Sequence, residues 1–171
     1  MMSKKSVHEN CSPYLLPVRV YYEDTDSGGV VYHANYVKFM ERARTEWLRT
    51  KGIEQDDLLN DYQLIFAVKH MSIDFVQSAR FNDLLVVGVN VCQHSKVSLV
   101  FQQDIFRIDR TQTEDILNHG HTYKPMEHAM MQAVFRDKIC SGQVKVVSLD
   151  AQTMRPKRIV KSVFEEIVSG Y

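Results

Sequence analysis

The stretch YYEDTDSGGVVYHANYVKFMERART, residues 21–45, decides the reading of this chain. Three acids, Glu23, Asp24 and Asp26, crowd into four positions, two glycines follow, and an aromatic segment begins. Carboxylates so close repel one another at neutral pH, and a plain surface turn has no need of them. From Asn35 to Thr50, Tyr36, Met40, Ala43 and Trp47 recur every three or four residues, with Val37, Phe39 and Leu48 widening the stripe. That spacing predicts an amphipathic helix of about four turns. Lys38, Arg42, Thr45 and Arg49 fall on the opposite side. Arg42 and Glu46 are placed to pair across one turn, and Gly52 stands where a left-handed cap ends a helix.

Three chemistries suit the acidic turn. Asp24, Asp26 and the glycines imitate the first half of a calcium loop, but its twelfth position holds Asn35 rather than Glu and a strand precedes it. A structural turn would use the acids to accept amide hydrogen bonds and the glycines for unusual dihedrals. A carboxylate beside a helix N-terminus is the third. There, free amides hold an oxyanion while the carboxylate attacks or activates water.

Outward from this stretch the period changes to two. LLPVRVYY (15–22) reads as a first strand, with Pro17 near its start where a missing amide is tolerable. GIEQDDLL adds a short helical turn. LIFAVKHMSIDFVQ (64–77), LLVVGVNVCQHS (84–95), KVSLVFQQDIFRI (96–108) and VKVVSLDAQ (144–152) are strands, the last with a start as early as Ala133 and a bend at Gly142. No helix separates them, so the sheet is expected to be mainly antiparallel and the fold α+β, in two layers with the sheet wrapping the helix.

Residues 1–14 read as a flexible N-terminal arm, 15–159 as one domain, and 160–171 as a C-terminal tail or short helix. Residues 109–131 interrupt the strands as an inserted loop with a helical turn near 125–131. They carry His119, His121 and His128, whose spacing is poor for structural zinc. Apolar residues make up 44% of the 171, enough for a packed core. Lys plus Arg equals Asp plus Glu at 21 each, so nothing draws the whole chain to nucleic acid or acidic lipid. Cys11, Cys92 and Cys140 lack a paired spacing and read as reduced thiols of a cytoplasmic protein. No run has transmembrane length, and the basic start lacks the apolar core of a signal peptide.

YEDTDSGGVVYHANYVKFMERART resembles the signature of the hotdog-fold acyl-CoA thioesterases, in the group typified by 4-hydroxybenzoyl-CoA thioesterase. It looks most like the branch encoded beside the Tol–Pal cell-envelope genes of Gram-negative bacteria. IDFVQSARFNDLLVV (73–87) and GQVKVVSLDAQTMRPKRI (142–159) extend the likeness, which covers residues 16–108 and 138–159. Ser78 departs from it, standing where the family usually has proline, and so does the insertion.

The resemblance implies a hotdog fold, with a long central helix wrapped by a curved sheet of five strands. It also implies units joined edge to edge as a homodimer or homotetramer, with active sites at the interface. The catalytic aspartate of the family falls on Asp26 and the branch's functional histidine on His33. Amides around His33 and Ala34 would face the thioester oxygen. Tyr32, Ala34 and Tyr36 would line the acyl pocket, with core packing as the alternative for the tyrosines. Asn35 is expected to cap the helix, Asp24 to brace the turn, and Glu23 to face solvent or pair with a base.

The implied activity is acyl-CoA hydrolysis, by water activation or by direct attack of Asp26 to a mixed anhydride, with no cofactor and no metal. Coenzyme A phosphates call for local positive charge. Arg155, Lys157 and Arg158 are the leading patch and Arg80 a further candidate, while Lys69 with His70 are weaker ones; a merely solvated run is the alternative. Acyl carrier protein, being acidic, could dock on the same patch. The competing functions are a non-catalytic acyl-thioester or carrier-protein scaffold of the cell envelope, a hotdog 3-hydroxyacyl dehydratase, and a purely structural domain. The expected location is the cytoplasm, with loose attachment to the inner membrane allowed.

Overall fold

Side chains alternate between buried and solvent-facing along the later strands, and this period of two lays them side by side as one sheet. The computed structural model describes residues 13–109 and 136–169. The insertion with its three histidines, nearly all of the N-terminal arm and Cys11 lie outside the described residues. In chain order the elements are β1 (Tyr14–Arg19), a 3-10 turn (Tyr22–Asp24), α1 (His33–Thr50), α2 (Gln55–Tyr62), β2 (Leu64–Phe75), β3 (Leu84–Ser95), β4 (Ser98–Ile108), β5 (Asp137–Asp150) and α3 (Lys161–Val168). Among the described residues the sheet has five strands in the order β1-β3-β4-β5-β2, and every neighbouring pair is antiparallel. It is an α+β hotdog fold. Among the described residues, no helix is long and apolar enough to cross a membrane.

The sheet curves for local reasons. The ladder slips between Val68 and His70, between Val91 and Gln93, and between Ile105 and Phe106. Each slip leaves a residue unpaired, bends its strand and sharpens the twist. α1 lies in the resulting hollow and buries Tyr36, Phe39, Met40, Ala43, Trp47 and Leu48. Gly142 lets the helix come close: a Cβ there would stand 3.0 Å from the Met40 methyl. Gly52, at φ +70°, follows α1 and donates its amide to the Arg49 carbonyl at 2.9 Å, as the left-handed cap requires.

Two side-chain expectations on α1 are corrected. Glu46 pairs with Arg49 at 2.6 Å rather than with Arg42, whose guanidinium lies over the Phe39 ring at 5.9 Å. Asn35 does not cap the helix. The cap position is Tyr32, and Asn35 is buried with its Nδ2 donating to the Asp24 carbonyl at 2.9 Å. It ties the helix start back to the acidic turn.

Candidate active site

Residues 24–32 form a closed turn that delivers Asp26 to the start of α1. Asp24 is buried, and its Oδ2 accepts the Tyr21 amide at 2.9 Å. Thr25 and Val31 pair as an antiparallel bridge, and the Asp26 amide donates to the Val30 carbonyl at 2.9 Å. Gly29 folds the chain back at φ +72°, where a residue with a Cβ is strained, and its amide reaches the Asp26 carbonyl at 3.0 Å. The Tyr32 amide closes the turn on the Asp24 carbonyl at 2.9 Å. Asp24 thus braces the turn, and Glu23 is exposed.

The Asp26 side chain is exposed in the single chain. Its Oδ1 accepts the Gly28 amide at 2.8 Å, which sets the carboxylate's rotamer. A Cβ at position 28 would meet that same oxygen at 3.0 Å, so glycine there leaves the carboxylate its place. His33 opens α1 and is exposed, its ring 4.4 Å from that of Tyr32, which is also exposed. Ala34 is half-buried. Among the described residues no side chain caps this helix end. The His33 and Ala34 amides, in the first turn, lack an intrahelical acceptor and carry the positive end of the dipole.

Tyr36 lies inward, 2% exposed, its hydroxyl oxygen accepting the Ala79 amide at 3.0 Å; burial raises its pKa. The Ala79 carbonyl in turn accepts the Val31 amide at 2.8 Å. This stitches the turn to the 76–83 segment and sets Arg80, exposed, beside it. The departure at Ser78 is held as well, since Arg107 Nη2 donates to the Ser78 carbonyl at 2.8 Å.

The other basic residues stand elsewhere. Asp150 pairs with Leu64, and Arg155 returns its carbonyl to the Asp150 amide at 2.9 Å, so 150–158 sit at the Leu64 end of the sheet. The Phe75 end is the one beside Asp26, for Phe75 packs on Tyr36 at 5.7 Å. Within one chain the structure therefore does not bring Arg155 and Arg158, both exposed, to the acidic turn. Lys157 is committed locally, its Nζ 3.1 Å from Asp150 Oδ2 and donating to the Tyr62 carbonyl at 2.7 Å.

The Thr153 amide, then Lys157 and the Thr153 hydroxyl, hold the Asp150 carboxyl down at about 2, below its ordinary 3.8. This contribution to stability is whole above the ordinary value and is lost as pH falls through the lowered one. An NMR titration should find Asp150 still ionised at about pH 3; a midpoint near the ordinary aspartate value would contradict the bonding.

Residues 28–114 match the family called the thioesterase superfamily. The chain belongs to that family. Among the relatives of this thioesterase, the acyl-CoA thioester hydrolase YbgC of Escherichia coli is 36% identical over 157 residues, 92% of this chain and 97% of that protein. The acyl-CoA thioesterase YbgC of Haemophilus influenzae is 50% identical over 94 residues, 55% of this chain and 69% of that one. A solved probable thioesterase from Bartonella henselae shares the fold with a TM-score of 0.68 at 24% identity, over 87% of this chain and all of that one.

Sequence reading missed one buried polar pair, Arg44 with Gln103. The signal was present. Arg44 stands four residues after Met40 and three before Trp47, on the apolar stripe itself.

Proposed function

We propose that the chain hydrolyses acyl-CoA thioesters to a carboxylic acid and free CoA, with Asp26 as the general base and the amides at His33 and Ala34 as the oxyanion site. One observation carries this: the turn holds Asp26 opposite Val30 and runs directly into a helix start whose amides have no intrahelical acceptor. Water adds to the thioester carbon as its proton passes to the Asp26 carboxylate. The oxygen's new charge is met by the amides, and one good donor contributes about 3–4 kcal/mol. The tetrahedral species collapses, the C–S bond breaks, and the thiolate leaves with the proton from Asp26. His33, exposed at the same helix end, positions the carbonyl. Tyr32 and Ala34 line the acyl side.

An exposed Asp26 needs a second wall, and the proposal supplies it from a second copy. Among the described residues β2 is an edge strand, twelve residues long, with Val68 and Phe75 exposed and Val76 exposed just beyond its end. Unpaired edges of this length invite another strand, and a symmetric dimer pairs the same edge with itself. Antiparallel pairing of β2 with its copy sets the Leu64 end of one sheet beside the Phe75 end of the other. The Arg155 and Arg158 of one chain then approach the Asp26 turn of the other, where with Arg80 they meet the CoA phosphates. Lys157, tied to Asp150, holds that loop in shape. An acidic acyl carrier protein fits the same basic rim. Free Cys92 and Cys140 suit a cytoplasmic location.

The test is release of CoA thiol from short, long and aromatic acyl-CoAs by the purified chain and by Asp26→Asn. No hydrolysis of any would refute the reading. The dimer is tested by Val68→Lys with Ser72→Lys, which puts like charges across the paired edge. Sedimentation should show monomer, with activity falling in parallel; a monomer of full activity would remove the second copy from the site.

A further inference from the structure

An arginine is buried with a neutral amide as its hydrogen-bond partner. Arg44 is 8% exposed. Its Nη1 donates to Gln103 Oε1 at 2.7 Å, and Gln103, fully buried, is fixed by its Nε2 on the Met40 carbonyl at 2.9 Å. Among the described residues no acid forms an ion pair with Arg44. Burial lowers its pKa, and the charge of Glu41 acts the other way. Glu41 is turned to another partner, its Oε1 accepting the Thr45 hydroxyl at 2.9 Å. A guanidinium carries five N–H donors in a fixed fork. Gln103 takes one of them, and among the described residues no nitrogen of Arg44 is both buried and without a partner, so the remaining donors keep access to solvent.

The guanidinium borders a cleft of about 110 Å³ between α1 and the edge strand. Phe66 and Val68 of β2 and Phe101 of β4 form its apolar wall, with Glu41, Arg44 and Thr45 of α1 opposite. An apolar cleft with a few placed polar groups is the usual form of a small-molecule site. Arg44 lies eleven residues beyond His33, about 16 Å along the helix, so the chain's own Asp26 is remote. Edge pairing of β2 changes that. It brings the second copy's Phe75 end, and with it that copy's acidic turn, beside the Leu64 end where this cleft opens.

We propose that Arg44 recognises an oxygen acceptor at the far end of the acyl group whose thioester is hydrolysed at Asp26 of the second copy. The inference rests on the thioesterase and edge-paired reading above. A hydroxyl, keto or carboxylate oxygen at the acyl terminus takes the donors that Gln103 leaves. A plain methyl end strips water from them and returns nothing, so it is disfavoured.

The experiment measures kcat/KM for acyl-CoAs of four, six and eight carbons whose last carbon bears a methyl, a hydroxyl or a carboxylate group. At the chain length that spans the gap, the protein should favour an oxygen-bearing end by at least about tenfold, the size of one hydrogen bond to a charged group. Arg44→Met should bring that ratio near one, while Arg44→Lys keeps part of it. Thr45→Glu places a carboxylate in the cleft to occupy Arg44 and should erase the preference too, which keeps the test alive should Arg44→Met not fold. Comparing substrates on one variant separates recognition from a merely structural defect.

A hybrid dimer of Asp26→Asn with Arg44→Met decides which copy acts. Its one competent site joins an intact Asp26 to the intact Arg44 of the other chain, so the wild-type preference should return. Loss of the preference in the hybrid overturns the assignment across copies. A wild type indifferent to the terminal group, or Arg44→Met with an unchanged ratio, overturns the inference alone. Failure to hydrolyse any acyl-CoA overturns the thioesterase reading with it.

Discussion

Asp26→Asn is expected to keep the fold and lower kcat/KM for acyl-CoA hydrolysis at least about a hundredfold, the low end for a removed general base. The substitution is nearly isosteric. The side chain is exposed, and the amide oxygen of Asn can still accept from Gly28 N–H, so the turn keeps its shape. What disappears is the group that takes a proton from water. The helix-start amides remain, so a residual rate from oxyanion binding alone should survive. Thiol release at substrate concentrations well below KM gives kcat/KM, and a thermal melt matching wild type shows that the fold was kept. Turnover near wild type in a well-folded variant would end the role assigned to this carboxylate.

Trp47→Ala should lower unfolding free energy by about 3–5 kcal/mol, the usual range for removing a buried large aromatic. Trp47 is 1% exposed, on the apolar stripe near the C-terminal end of α1. Its ring meets Phe101 of β4 edge to face at 5.4 Å, and Lys51 Nζ lies over it at 5.7 Å. Truncation removes the contact between helix and sheet and leaves a hole that curved strands with close-packed neighbours cannot collapse to fill. Urea unfolding at one fixed protein concentration checks this, so that association between copies contributes equally to both proteins. A loss below about 1 kcal/mol would mean that the helix does not rest on this residue.

The helix and strands were legible because their signals are local. Three- and four-residue spacing announced α1, and alternation announced β2 to β5, with ends displaced by a few residues. At Gly142, where a bend was expected, both ladders stay in register and the irregular step of β5 falls at Ile139 instead; what the glycine gives is a close approach, with a Cβ there 3.0 Å from the Met40 methyl. Other features needed the third dimension. Arg42 faced Glu46 on a helical wheel, yet the Glu46 carboxylate met Arg49 and the Arg42 charge met an aromatic face. Asn35 looked like a cap because its residue type favours caps. Burial against the Asp24 carbonyl made it a strut between turn and helix instead. The MRPKR run read as one basic patch, but Lys157 spends its charge on Asp150 while Arg155 and Arg158 stay exposed.

Spacing and residue type were enough for the α+β class, the central helix and the acidic turn before it, while the thioesterase superfamily entered as a resemblance that the family match bears out. Class, helix and turn follow from patterns a few residues long, which the backbone obeys wherever it lies. Which charges are paired, which arginine is buried against a neutral amide, and which sheet edge is left open among the described residues were decided by tertiary structure alone. Those properties depend on solvent exclusion and on partners tens of residues away, as with Arg44 and Gln103, and one-dimensional order does not encode such distances.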